Sequence, residues 1–163
     1  MIDQARSLAE TMHIEQVRKY TGEPYFNHCE AVAKMVMSKG GDAEQIAAAY
    51  LHDTIEDCGA TFDGLKDVFG VGVATLVMEL SDEYTHEKYP DLNRAARKKL
   101  EAERLGTISD RAKLIKWCDL ADNTSSIVEH DPGFARIYLV EKARCLEAMG
   151  FTDRIWTEED DRG

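Results

Sequence analysis

Apolar residues recur three and four positions apart along almost the whole chain, and no stretch shows the alternation of a half-buried strand. The spacing predicts a first helix over 2–20, with Ala5, Leu8, Ala9, Met12 and Val17 as its inner stripe. Gly22-Glu23-Pro24 interrupts it, and a second helix runs from about Tyr25 to Lys39, stopped by Gly40-Gly41. Asp42, with Gln45 three residues on, forms a capping-box pattern that opens a third helix through Ile46 and Leu51 into His52-Asp53. Alanine-rich and apolar on several sides, this helix reads as the most buried. Thr61 is placed to cap a short helix to Phe69, and Gly70-Val71-Gly72 leads into another ending near Ser81. Residues 84–91, with Pro90, read as loop. A polar helix over 93–105 and a long one from a Ser109 cap through Ile127 follow. Asp131-Pro132 opens the last, with Ile137, Tyr138, Val140 and Leu146 on its apolar side. The reading is one all-α domain over 1–152 and an acidic, frayed tail over 153–163, where Trp156 is a candidate anchor.

A length of 163 residues suits one domain, and the net charge of −11 disfavours adhesion to a nucleic-acid polymer or an anionic membrane. The apolar runs, such as 46–51 and 71–80, are too short or too interrupted to span a bilayer, and Met1-Ile2-Asp3 begins no secretory signal. A cytoplasmic chain is expected, with Cys29, Cys58, Cys118 and Cys145 as reduced structural thiols. The oligomeric state is left open.

The chemistry is concentrated in a few places. His52-Asp53-Thr54-Ile55-Glu56-Asp57 sets four ionisable groups at the end of an apolar helix, which is costly unless they are paired or bind a cation. A helix emerging into solvent explains that cluster alone equally well. His28 near the start of the second helix, and Asp119 with Asn123 one turn later among apolar residues, add to the case. Two imidazoles and two carboxylates form a ligand set suited to Mn²⁺, Fe²⁺ or Zn²⁺ more than to Mg²⁺ or Ca²⁺. The chain has no phosphate-binding glycine loop, no Gly-x-Ser-x-Gly and no His-Glu-x-x-His.

His28, His52-Asp53 and Asp119 resemble the H…HD…D pattern of the HD-domain metal-dependent phosphohydrolases. More narrowly, His52-Asp-x-x-Glu56-Asp57 is similar to the motif of RelA/SpoT-type hydrolase domains and stand-alone small alarmone hydrolases. His13-x-x-Gln16-x-Arg18-Lys19 with Gly22-x-Pro24-Tyr25-x-x-His28 resembles that group's opening, and Lys116-x-x-Asp119-x-x-x-Asn123 its closing motif. Trp117-Cys118 stands where Leu-Ala is usual, and Asp122 is not typical of the best-known members. The resemblance implies a helical bundle holding one divalent cation, usually Mn²⁺, through His28, His52, Asp53 and Asp119. It implies Glu56 and Asp57 as the groups that orient or deprotonate the attacking water, Asn123 as a nucleotide contact, and Arg18 and Lys19 as phosphate contacts.

Charge placement points the same way. Between Arg94 and Lys116 eight basic residues face three acidic ones, a local excess of five positive charges in an acidic chain. A solvated helix face accounts for any one of them. As a group, Arg94, Arg97 and Lys98 suit a polyphosphate, and Tyr138 is placed to stack on a base or ribose. The expected function is a metal-dependent phosphohydrolase on a small anionic nucleotide, first the 3′-pyrophosphate of guanosine tetra- or pentaphosphate. The alternatives are another nucleotide phosphatase or pyrophosphohydrolase on the same scaffold, or a non-catalytic nucleotide sensor.

Overall fold

The structure, a computed structural model, describes residues 1–151, so the acidic tail and Trp156 lie outside the described residues. Among the described residues the fold is all-helical: α1 (Ile2–Met12), α2 (Phe26–Ser38), α3 (Ala43–Leu51), α4 (Thr54–Cys58), α5 (Phe62–Phe69), α6 (Val71–Leu80), α7 (Arg94–Leu105), α8 (Asp110–His130) and α9 (Pro132–Met149). No helix among them is long and apolar enough to cross a membrane. The described backbone divides into two compact units, one of residues 1–81 and 109–122, the other of residues 82–108 and 123–151.

In the first unit α3 is central, packed against α1, α2 and α6. Every residue from Gln45 to Leu51 is buried. The capping box forms as its sequence predicts: Asp42 Oδ1 accepts from the Gln45 amide at 2.9 Å, and Gln45 Oε1 accepts from the Asp42 amide at 2.9 Å. Thr61 caps α5 through the Gly64 amide, and Asn93 and Asp131 cap α7 and α9 through Ala96 and Phe134.

Three expectations are corrected. The first helix stops at Met12, well short of residue 20. From Gln16 the chain turns back on itself: Val17 bridges to Pro24, the Arg18 amide donates to Glu23 O, and the Tyr25 amide donates to Gln16 O. Gly22 makes this turn at φ +72°, a conformation that a side chain disfavours. Val17, expected in the inner stripe, is exposed in this loop. The third helix does not run through His52-Asp53. His52 Nδ1 donates to Ala49 O at 2.6 Å and Thr54 Oγ1 to Leu51 O at 2.7 Å. Side chains thus take carbonyls that a continuing helix would need, and α4 starts afresh before closing at Gly59, φ +73°. Finally, Ile137 and Val140, expected on the apolar side of the last helix, are exposed on α9.

In the second unit α7 packs on α9. The loop after Asp82 is held by the buried Glu101 carboxylate, whose Oε1 accepts from the amides of Glu83 (2.6 Å) and Tyr84 (2.7 Å).

Candidate metal centre

The turn at 16–25 delivers Tyr25 to the N-cap of α2, and three residues on α2 carries the buried His28. The break after α3 delivers His52 and Asp53 together, and the first half of α8 supplies the buried Asp119. These side chains converge. His28 Nε2 lies 2.9 Å from Asp119 Oδ1 and 3.8 Å from Asp53 Oδ2. His52 Nε2 lies 3.2 Å and 3.0 Å from the same two oxygens. One ligand atom each from His28, His52 and Asp119 fits within 4.8 Å of the others.

The hydrogen bonds around the cluster settle which nitrogen faces it. His52 spends Nδ1 on Ala49 O, and His28 spends Nδ1 on Asp122 Oδ2 at 2.6 Å. Both rings therefore turn Nε2 toward the carboxylates, with the outer nitrogen held by a carbonyl or a carboxylate, as in metal-binding histidines. The electrostatics agree. Burial pulls the His28 and His52 pKa values down, but the facing aspartates overcome it and both rise, His52 well above its ordinary value. Burial lifts Asp119, yet Lys116 (Nζ to Oδ2 3.0 Å) and the two imidazoles hold it well below the usual carboxylate range. Two carboxylates and two imidazoles this close demand positive charge, from protons or a cation. The donor set suits a transition-metal dication.

A shell of further residues aims this cluster. Tyr25 Oη donates to Asp53 Oδ2 at 2.6 Å, with its ring between those of His13 and His28 at 5.0 and 5.5 Å. Burial and the Asp53 carboxylate push the Tyr25 pKa up, so the phenol stays a donor. His13, buried at the end of α1, has Nδ1 at 2.7 Å from Gln16 Oε1, and Gln16 Nε2 donates to Asp57 Oδ2 at 3.2 Å. Glu56 and Asp57 stand on α4 and line a cleft of about 550 Å³ with Met12, Ile14, Glu15 and Gln16. Partial burial and the Asp53 carboxylate raise the Asp57 pKa.

With a family model for the HD domain the chain matches over residues 5–141. The chain belongs to the HD-domain family. This HD-domain chain is 34% identical over 135 residues to the guanosine-3′,5′-bis(diphosphate) 3′-pyrophosphohydrolase MESH1 of Xenopus tropicalis, covering 81% of the chain and 72% of that relative. It is 35% identical over 129 residues to a probable chloroplastic GTP diphosphokinase of Arabidopsis thaliana, covering 76% of the chain but 18% of that much longer protein. A solved structure described as a metazoan orthologue of SpoT that hydrolyses ppGpp superposes with a TM-score of 0.81 at 29% identity, covering 94% of this chain and 87% of that one.

The remaining residues singled out from sequence fall in different surroundings. Arg18 is largely buried, its NH1 3.1 Å from Asp122 Oδ2 and 3.9 Å from Glu23 Oε1, while the exposed Lys19 lies over the Tyr20 ring. Asn123 is half-buried on α8, one turn after Asp119. In the second unit Arg94 pairs with Glu141 (3.0 Å) and covers the Phe134 ring, and Arg97 donates to Leu92 O. Lys98 lies on the same helix, and Tyr138 is half-buried beside Phe134. Elsewhere in the basic run Arg104 pairs with Glu101, and Arg111 with Asp42 and Glu44. The sequence placed Gln16 and Tyr25 in the opening motif and marked Asp122 as atypical, but gave none of the three a part in supporting the site. For Asp122 one signal existed, its position three residues after Asp119 on the same helix face.

Proposed function

We propose that this HD-domain chain is a metal-dependent 3′-pyrophosphohydrolase of guanosine 3′,5′-bis(diphosphate). The observation that carries the reading is the convergence of two outward-anchored imidazoles and two aspartates next to the acidic helix α4. The activity borne by the Xenopus relative, matched over most of both chains, supplies the substrate class. His28, His52, Asp53 and Asp119 hold one divalent cation, with Mn²⁺ the first choice for a mixed nitrogen and oxygen set. When bound, such a cation supplies Lewis-acid stabilisation of the charge on the phosphoryl oxygens.

The protein's own groups do the rest. Asp57, raised in pKa and held by Gln16, and its neighbour Glu56 orient the attacking water and take its proton. Water adds to the phosphorus joined to the 3′ oxygen; that P–O bond breaks, giving pyrophosphate and guanosine 5′-diphosphate. Lys116 keeps Asp119 ionised, and Tyr25 keeps the Asp53 carboxylate aimed. Arg18 and Lys19 take the phosphates of the other arm and Asn123 the nucleoside. No role is assigned to Arg94, Arg97, Lys98 or Tyr138.

A panel of guanosine nucleotides incubated with the chain and Mn²⁺, with products separated by chromatography, tests this. The tetraphosphate should give pyrophosphate and the 5′-diphosphate in equal amounts. A guanosine 3′-monophosphate should be a far poorer substrate, because each lost charge-assisted hydrogen bond is worth about 1.5–3 kcal/mol. Equal rates on both would replace this reading by a general nucleotidase.

A further inference from the structure

Asp122 follows Asp119 by three residues on α8, and its carboxylate stands outside the metal cluster. A single oxygen, Oδ2, accepts from His28 Nδ1 at 2.6 Å and from Arg18 NH1 at 3.1 Å. The first contact is the shorter and reaches the most deeply buried partner, since His28 is 1% exposed. The second reaches a guanidinium brought in from the 16–25 turn, 104 residues away in sequence. Both donors carry their hydrogens on atoms turned away from the cluster, so one carboxylate serves a metal-facing ring and a basic arm at once.

We propose that Asp122 is the positioning residue of this metal centre: it holds His28 with Nδ1 protonated and Nε2 facing the cation, and the same oxygen docks Arg18 at the edge of the site. The proposal rests on the metal-centre reading above. The roles divide by geometry. Among the described residues Asp122 is the partner that holds Nδ1 of His28, and without it the ring can rotate or change tautomer inside its pocket. Loss of Arg18 leaves the 2.6 Å bond to His28 in place. Metal affinity therefore depends on Asp122 and hardly on Arg18, although the two residues form one ion pair. A purely structural ion pair between the turn and α8 makes the opposite forecast, because it fails equally whichever partner is removed.

The test uses the full chain without nucleotide and Mn²⁺ alone, titrated by its electron paramagnetic resonance signal. Asp122→Ala should weaken Mn²⁺ binding about 10- to 100-fold, the scale for loss of an outer-shell partner of a ligating histidine. Asp122→Asn keeps the shape and an acceptor but not the charge, and should weaken it by a smaller factor, about fivefold or more. Arg18→Ala should change it by less than about threefold, since no ligand loses its support. A second readout is the imidazole N–H resonance of His28 in the Zn²⁺-loaded chain. It should lie far downfield and be protected from exchange in the wild type and in Arg18→Ala, move upfield in Asp122→Asn, and vanish in Asp122→Ala. Should Asp122→Ala fail to fold, the Asp122→Asn and Arg18→Ala pair decides by the same two measurements. Unchanged Mn²⁺ affinity in Asp122→Asn, or equal weakening in Arg18→Ala, overturns the proposal while leaving the metal centre intact. A wild-type chain that binds neither Mn²⁺ nor Zn²⁺ overturns both.

Discussion

Asp119 in the first unit and Glu101 in the second are both buried carboxylates on helices, yet their surroundings ask for different things. Glu101 is closed: two backbone amides and the Arg104 guanidinium point N–H groups at its oxygens. Its charge is answered by donors that belong to the fold, so it anchors a loop. Asp119 has Lys116 on one oxygen, but the other faces two imidazole nitrogens, with the Asp53 carboxylate close by. Those imidazoles have already spent Nδ1 elsewhere. Their inner nitrogens bring lone pairs unless protonated, so the cluster is balanced only by protons or by a metal. Burial of charge alone therefore does not mark a site. The mark is buried charge whose neighbours are themselves ligands.

The sharpest way to break that contrast is to remove an inner ligand. His52→Ala deletes one of the converging donors, and both bound metal and hydrolysis should be lost; metal content of the purified variant and turnover with the tetraphosphate read this directly. Metal content near that of the wild type would leave the cluster a structural network. Glu56→Gln should keep metal and nucleotide binding while lowering kcat by about 10²-fold, the scale of a positioned acid–base group. Unchanged kcat would leave that role to Asp57 alone.

Much of this could be read along the chain. Caps and breakers announce themselves locally, so Asp42, Thr61 and Asp131 begin helices where their side chains lead one to expect. The four polar segments likewise marked His28, His52 and Asp119, because ligand-type residues among apolar neighbours are conspicuous in any register. What escaped is what depends on distant partners. The end of α1 carries no glycine or proline, and Ile14 and Val17 prolong the apolar spacing although both end up exposed. The break at His52-Asp53 comes from side-chain bonds to Ala49 and Leu51, which no propensity registers. The local basic excess at 94–116 was legible as charge, but its answers on Glu141, Asp42 and Glu44 lie far off in sequence.

Glu101→Ala is the matching test in the second unit. It strips two amides and Arg104 of their acceptor, and should cost about 2–3 kcal/mol of stability, measured by denaturant unfolding. Mn²⁺ affinity should not change. A loss of metal binding in this variant would erase the distinction between the two carboxylates.

The pH dependence sharpens it further. His28 and His52 are both raised above the ordinary imidazole value of 6.5 by the aspartates they face. A cation needs their neutral forms, so its binding must expel protons wherever these rings are charged. Mn²⁺ affinity should therefore fall as pH is lowered, beginning above pH 6.5 and steepening to about tenfold per pH unit for each proton displaced. Isothermal titration in buffers of different ionisation enthalpy counts the protons. Affinity flat from pH 8 to about 6 would show that neither imidazole is a ligand.

The smallest effect is expected where sequence alone saw the strongest charge. Arg94 opens the basic run, but its guanidinium makes two hydrogen bonds to Glu141 and lies 5.3 Å from the centre of the Phe134 ring. Its side chain is half exposed, so the pair gains little over hydration and is screened by salt. Arg94→Ala should shift stability by no more than about 1 kcal/mol. Glu141→Ala should do the same, with the two losses failing to add because they remove one contact. If the guanidinium is already occupied in this way, kcat/KM for the tetraphosphate should stay within about threefold of wild type in both variants, since no phosphate contact worth 1.5–3 kcal/mol is lost. The informative contrast is between them. A tenfold rise in KM for Arg94→Ala, with Glu141→Ala unchanged or improved, would mean that Arg94 leaves Glu141 for a substrate phosphate.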